Sequence, residues 1–168
     1  GVLVSLCTAI VCYGSLRMIR CNEKISLLAT TLYLLSGYRL INVFLRAAVG
    51  EYTAMVFLPL VVCGLVLLYR TDTPTWRDSV PLAAGMAGLA LCHVLSLEMV
   101  GLFLILFVLT TLRQTFRKAR LAALVRAALL AVGLSAWFLI PMLQSMATQN
   151  IQVTARYSDD FQQRGINV

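Results

Sequence analysis

Long apolar runs, interrupted by short polar and basic stretches, divide this chain into six segments: residues 1–16, 25–44, 52–69, 79–92, 96–112 and 121–141. Several approach the roughly 20 apolar residues that cross the hydrocarbon region of a bilayer. The fold class this pattern implies is all-α: a polytopic transmembrane helical bundle of about six membrane segments. Composition excludes the soluble alternative. Of 168 residues, 60% are hydrophobic and 12% charged, and the mean hydropathy is +0.86. One soluble core of this size could not hide that much apolar surface.

The fourth and fifth segments nearly merge, so a hairpin competes with one long helix. Basic residues favour the hairpin. It gathers Arg17, Arg20, Lys24, Arg70, Arg77, Arg113, Arg117, Lys118, Arg120 and Arg126 on one side, which is 10 of the 14 Lys and Arg residues. Arg39, Arg46, Arg156 and Arg164 fall on the other. The positive-inside rule makes the first side cytoplasmic, and a single helix over 79–112 would split the basic clusters. The net charge of +7 then reflects topology and anionic headgroups; no nucleic-acid partner is expected. The run "RQTFRKAR" reads as a topogenic loop on the basic side.

Local signals set expected helix ends. Asp78 or Ser79 is a candidate N-cap with Pro81 in the first turn. Ser96 is a candidate cap for the fifth segment, which places Glu98 in that helix's first turn. Pro59 inside the third segment removes a backbone hydrogen bond and predicts a kink. Pro141 marks the expected outer end of the sixth. The chain starts inside an apolar run without Met and ends in polar sequence, so it reads as a fragment of a longer protein. Residues 1–143 are the expected transmembrane region, and 144–168 the start of an extracytoplasmic segment. Cys7, Cys12, Cys21, Cys63 and Cys92 have no ligand spacing and read as small packed residues rather than a metal site or a disulfide framework.

Under this topology Arg46, Glu51, His93 and Glu98 all fall at the outer face. Ionisable groups at membrane depth tend to face a bundle interior or a cavity and mark a functional site. An arginine fork there suits a phosphate. The plainer readings stay open. Arg46 and Glu51 are equally readable as interfacial anchors or a structural ion pair. Five residues apart, they lie about 140° apart on an ideal helix, so a direct pair needs a turn, for which Gly50 is the candidate. His93 reads more simply as a turn residue satisfying backbone carbonyls. Arg39 is a weaker site candidate, since Tyr38 and Arg39 fit an aromatic belt and a snorkelling cation.

Three stretches carry a family resemblance. "GYRLINVFLRAAVGEYTAMVFLPLVVCGL", "LALCHVLSLE" and "SAWFLIPMLQSMATQNIQV" occur in an order that resembles the YfhO-like bacterial membrane proteins and the related family labelled 6-pyruvoyl-tetrahydropterin synthase-related. Both are similar to the GT-C class of glycosyltransferases. The Arg-x-x-x-Gly-Glu element over 46–51, with the Phe-x-Pro-Leu over 57–60, is the most specific part. The resemblance implies a GT-C-like, multi-pass enzyme of the bacterial plasma membrane, acting in the cell envelope. Its partners would be membrane lipids and a sugar donor linked to polyprenyl phosphate, used at the outer face. Arg46, Glu51, His93, Glu98 and Arg39 would bind substrate. The acidic residue such enzymes carry in the first outer loop has no match here and is expected upstream of Gly1, so the catalytic residue is unknown. The cofactor is likewise unknown, with room for a divalent metal in the full-length protein. Pterin synthesis is rejected, because the soluble synthase needs several zinc-binding histidines and this chain has one His. Two alternatives compete with transfer: a transporter or flippase for a lipid or small anion, and a non-catalytic membrane scaffold.

Overall fold

The computed structural model describes residues 1–148, and every regular element among them is helical. In chain order these are α1 (Val2–Met18), α2 (Glu23–Leu34), α3 (Gly37–Leu40) running into a π-helical turn (Ile41–Leu45), and α4 (Val49–Ala54). Then come α5 (Leu58–Arg70), α6 (Trp76–Cys92), α7 (Val94–Thr110), α8 (Leu112–Thr115) and α9 (Lys118–Thr148). The chain forms two units, Gly1–Ser135 and Ala136–Val168. The expected extracytoplasmic segment, with Arg156 and Arg164, lies almost wholly outside the described residues.

The six apolar segments all become helical. Val49–Arg70 and Lys118–Ser145 are each long and apolar enough to cross a membrane, and the pair Glu23–Leu34 with Gly37–Leu45 qualifies as a third span bent by 45°. The helices α1 and α7 are apolar but have 17 residues each, about 25 Å of helix. Large apolar side chains such as Leu102, Phe103 and Leu106 stand exposed on α7, and no α7 residue is buried. Lipid is the environment in which such a surface is stable.

The hairpin over the fourth and fifth segments is present. The start of α7 lies against α4, since a side chain on Gly50 would meet the Cys92 carbonyl and the His93 ring at 3.1 and 3.2 Å. The end of α7 lies against the end of α5, where the Phe107 and Tyr69 rings meet edge to face at 4.9 Å. One helix from 79 to 112 could not touch both ends of the α4–α5 span. The hairpin of α5 and α6 is closer still. A Cβ on Gly64 would collide with the Leu82 backbone, and one on Gly85 would lie 2.8 Å from the Val61 nitrogen. Small residues let helix backbones approach where no hydrophobic effect drives them together. The core of this region is Val61, Leu65, Leu68, Leu82, Ala83 and Leu89, joined by Ala123 and Ala127 from α9.

Helix ends differ from expectation in instructive ways. The α6 helix starts at Trp76, because Thr75 donates both its N–H and its hydroxyl to the Asp78 carboxylate at 2.7 Å. Pro81 therefore lies inside the helix, and buried Ser79 donates to the Ala123 carbonyl at 3.0 Å instead of capping. His93, not Ser96, caps α7: its Nδ1 accepts the Ser96 N–H at 3.2 Å. That cap starts the helix earlier, so Glu98 falls beyond the first turn. Pro59 opens α5, and the helix is interrupted just before it, at 55–57. Pro141 does not end the sixth segment; α9 continues through it to Thr148. The α1 helix closes with Arg20 at φ 65°, its N–H bonded to the Arg17 carbonyl and the Cys21 N–H to that of Leu16. This is a Schellman close, with arginine where glycine is usual.

Candidate functional site

Two ends of the Gly1–Ser135 unit carry its polar side chains, and they are built differently. At the basic end the last turns of α1 and α5 meet, as Arg70 donates to the Ile19 carbonyl at 3.1 Å. Arg120 organises the rest. It is 2% exposed and donates to the carbonyls of Leu68, Gln114, Tyr69 and Thr71 at 3.0, 2.8, 3.4 and 2.9 Å. Its guanidinium lies 4.9 Å over the Tyr69 ring, and Asp72, which also pairs with Arg117, is 3.7 Å away. The helix-end carbonyls that lack intrahelical donors thus receive them from one side chain. Arg120 is a structural clamp, where its sequence context reads as a loop charge.

The opposite end holds the residues singled out above. After the π-helical turn, whose Arg46 N–H reaches back to the Ile41 carbonyl at 2.9 Å, the chain turns at Ala47 with φ 49° and enters α4. This reversal brings Arg46 Nη1 to Glu51 Oε2 at 3.1 Å. The turn lies three residues before Gly50, whose missing side chain serves the close contact with Cys92 and His93 instead. Glu51 Oε2 also accepts the Tyr38 hydroxyl at 3.0 Å, and Arg46 Nη1 donates to Asn42 Oδ1 at 3.2 Å. Glu51 is thereby tied to both arms of the bend, its side chain 16% exposed against 55% for Arg46. One edge of the Arg46 guanidinium is anchored and the other is open.

His93 sits half-buried on the neighbouring turn, its Nδ1 engaged by the Ser96 N–H and, at 2.9 Å, by the Ser96 hydroxyl. Accepting an N–H leaves Nδ1 unprotonated, so the ring proton resides on Nε2. Glu98 is exposed on α7 and makes no hydrogen bond or ion pair with the described residues. Arg39 does not snorkel. It is 2% exposed, with Nη1 3.4 Å from the Tyr52 carbonyl and Nη2 3.3 Å from Ser5 Oγ. Asn42, unnoticed in sequence because one Asn on an apolar run has no signature, is fully buried beside the ion pair.

Below this end an apolar cavity of about 260 Å³ opens between α1, α2 and α5, lined by Cys12, Ser15, Tyr33, Pro59 and Cys63 among others. Tyr33, on its wall, donates its hydroxyl to the Met55 carbonyl at 2.7 Å. That carbonyl would otherwise pair with the N–H of residue 59, which proline lacks.

Among known proteins, the family model described as "6-pyruvoyl-tetrahydropterin synthase related domain; membrane protein" matches residues 1–162. No curated protein and no solved structure matches the chain.

Proposed function

The chain belongs to the 6-pyruvoyl-tetrahydropterin synthase related domain family of membrane proteins, and from that premise we propose that it is the membrane part of a GT-C-like glycosyltransferase. In this reading it lies in the bacterial plasma membrane as a multi-pass protein. It takes a sugar from a polyprenyl-phosphate donor at the outer face for envelope glycan or glycolipid modification. The observation that carries the reading is the half-open Arg46 guanidinium. Asn42 and Glu51 hold one edge in place, and the free edge is left to donate paired, charge-assisted hydrogen bonds to a phosphate.

Glu51 orients Arg46 rather than acting as the base, since its Oε2 is committed to Arg46 and Tyr38. The Nε2–H of His93 is a second fixed donor at this end, and Glu98 and Arg39 are its remaining charged groups. The apolar cavity beneath offers the lipid part of such a donor a place between helices. The test is transfer from a polyprenyl-phosphate sugar by the full-length protein. Arg46→Ala is expected to lower transfer at least tenfold and Arg46→Lys to restore only part of it, because an ammonium cannot donate two parallel bonds. Unchanged transfer in Arg46→Ala refutes the assignment.

The 45° break between α2 and the α3 segment favours a second reading, a lipid or small-anion transporter, because broken helices line the sites of such proteins. Vesicle-to-vesicle movement of a labelled polyprenyl phosphate without sugar transfer would select it.

A further inference from the structure

Arg39 and Arg120 are equally buried, at 2% exposure each, yet they are served very differently. Arg120 has four carbonyls, an aromatic face and a carboxylate. Arg39 has one carbonyl and one hydroxyl, both at 3.3–3.4 Å, beyond the usual N–H···O range. No carboxylate pairs with it among the described residues; the nearest candidate in sequence, Glu51, is held by Arg46 and Tyr38.

One turn further along, on the same buried face, Asn42 is 0% exposed and its Nδ2 has no partner among the described residues. Its amide orientation is determined, because Oδ1 accepts from Arg46 Nη1; reversing it would set one donor against another. The interior of the bend therefore presents a buried cation and an unused amide donor. Buried polar groups are ordinarily satisfied, and a buried charge is ordinarily paired. A group that answers both needs must accept hydrogen bonds and carry negative charge.

We propose that Arg39 and Asn42 form a buried oxyanion seat for a phosphate group, reached past Arg46 at its mouth. Arg39, Asn42 and Arg46 follow one another at i, i+3 and i+7 through the π-helical turn, leading from an exposed guanidinium to a buried one. Phosphate offers several acceptor oxygens to donors arriving from different directions. It is either the headgroup of a lipid phosphate or a free phosphate ion. The inference rests on the reading of this end as a phosphate site and deepens it: the group that binds the anion is Arg39 with Asn42, and Arg46 admits it.

The experiment uses full-length protein in detergent, titrated with inorganic phosphate and separately with farnesyl phosphate, following thermal unfolding and equilibrium binding. Wild type is expected to bind at least one probe and to melt at a higher temperature with it. Binding of farnesyl phosphate alone identifies a lipid headgroup, and binding of both identifies the phosphate itself as sufficient. Arg39→Met and Asn42→Asp should each weaken binding about tenfold or more, the loss of one charge-assisted bond. Asn42→Asp keeps the oxygen that holds Arg46 and supplies an internal carboxylate to Arg39. Without phosphate it should melt no lower than wild type, which keeps the test decisive if Arg39→Met fails to fold. The proposal is overturned if wild type binds neither probe, if both variants bind as wild type does, or if chloride stabilises as well as phosphate. Sugar transfer is scored separately. Binding lost in these variants while the wild type transfers no sugar refutes the transferase and retains the seat; unchanged binding in these variants while Arg46→Ala loses transfer refutes the seat alone.

Discussion

Tyr33 and Pro59 act on the same carbonyl. Proline at 59 removes the N–H that would reach Met55, and the Tyr33 hydroxyl supplies a donor from another helix. Tyr33→Phe is expected to cost about 1–2 kcal/mol, the penalty for an orphaned buried acceptor. In a Pro59→Ala background, where the backbone N–H returns, the same change should cost much less; a double-mutant cycle in detergent unfolding measures the coupling. Arg120 is the second residue-scale case. Arg120→Met strands several helix-end carbonyls and is expected to lower stability by about 3 kcal/mol, read as a lower unfolding midpoint. In sequence Tyr33 carries no signature within its apolar run, and Arg120 reads as a loop charge. Apart from the Gln114 carbonyl, six residues before Arg120, the acceptors they reach lie 22 to 52 residues away, beyond what local pattern can reach.

At the scale of elements, helix ends were least legible, because side chains that could cap compete and only geometry chooses among them. Asp78 does serve the start of α6, but as the acceptor for Thr75, and His93 displaces Ser96 as the cap of α7. Thr75→Ala should therefore cost about 1 kcal/mol, whereas Ser79→Ala should act through its bond to Ala123. Arg20 adopts a left-handed conformation without glycine's freedom, so Arg20→Gly is expected to stabilise by up to about 1 kcal/mol. The α5–α6 hairpin depends on Gly64, which has no room for a side chain against Leu82. Gly64→Val should cost about 3 kcal/mol or unpair the hairpin; proteolysis in nanodiscs would reveal the opened loop at 71–75.

For the whole molecule, the structure gathers Arg46, Glu51 and His93 at one end and Arg70, Asp72, Arg117 and Arg120 at the other. If the positive-inside rule orients this bundle, Glu51→Cys and Glu98→Cys in a cysteine-free protein should label from outside the cell and Arg113→Cys only after permeabilisation. Labelling of position 51 only from within reverses the orientation. It would move the proposed phosphate seat to the cytoplasmic face.

What the sequence determined by itself was the class of the molecule, its apolar segments and the hairpin at His93. These follow from hydropathy and basic-residue asymmetry, which are sums over many positions and survive errors at any one. Tertiary structure alone decided which polar residues have partners. Arg39 and Arg120 are the same residue in comparable apolar surroundings, but four carbonyls converge on one and two distant acceptors face the other. Hydrogen bonding depends on a few tenths of an ångström between residues far apart in the chain. The buried donors of Arg39 and Asn42 emerge only when α1, the π-helical turn and α4 are packed together.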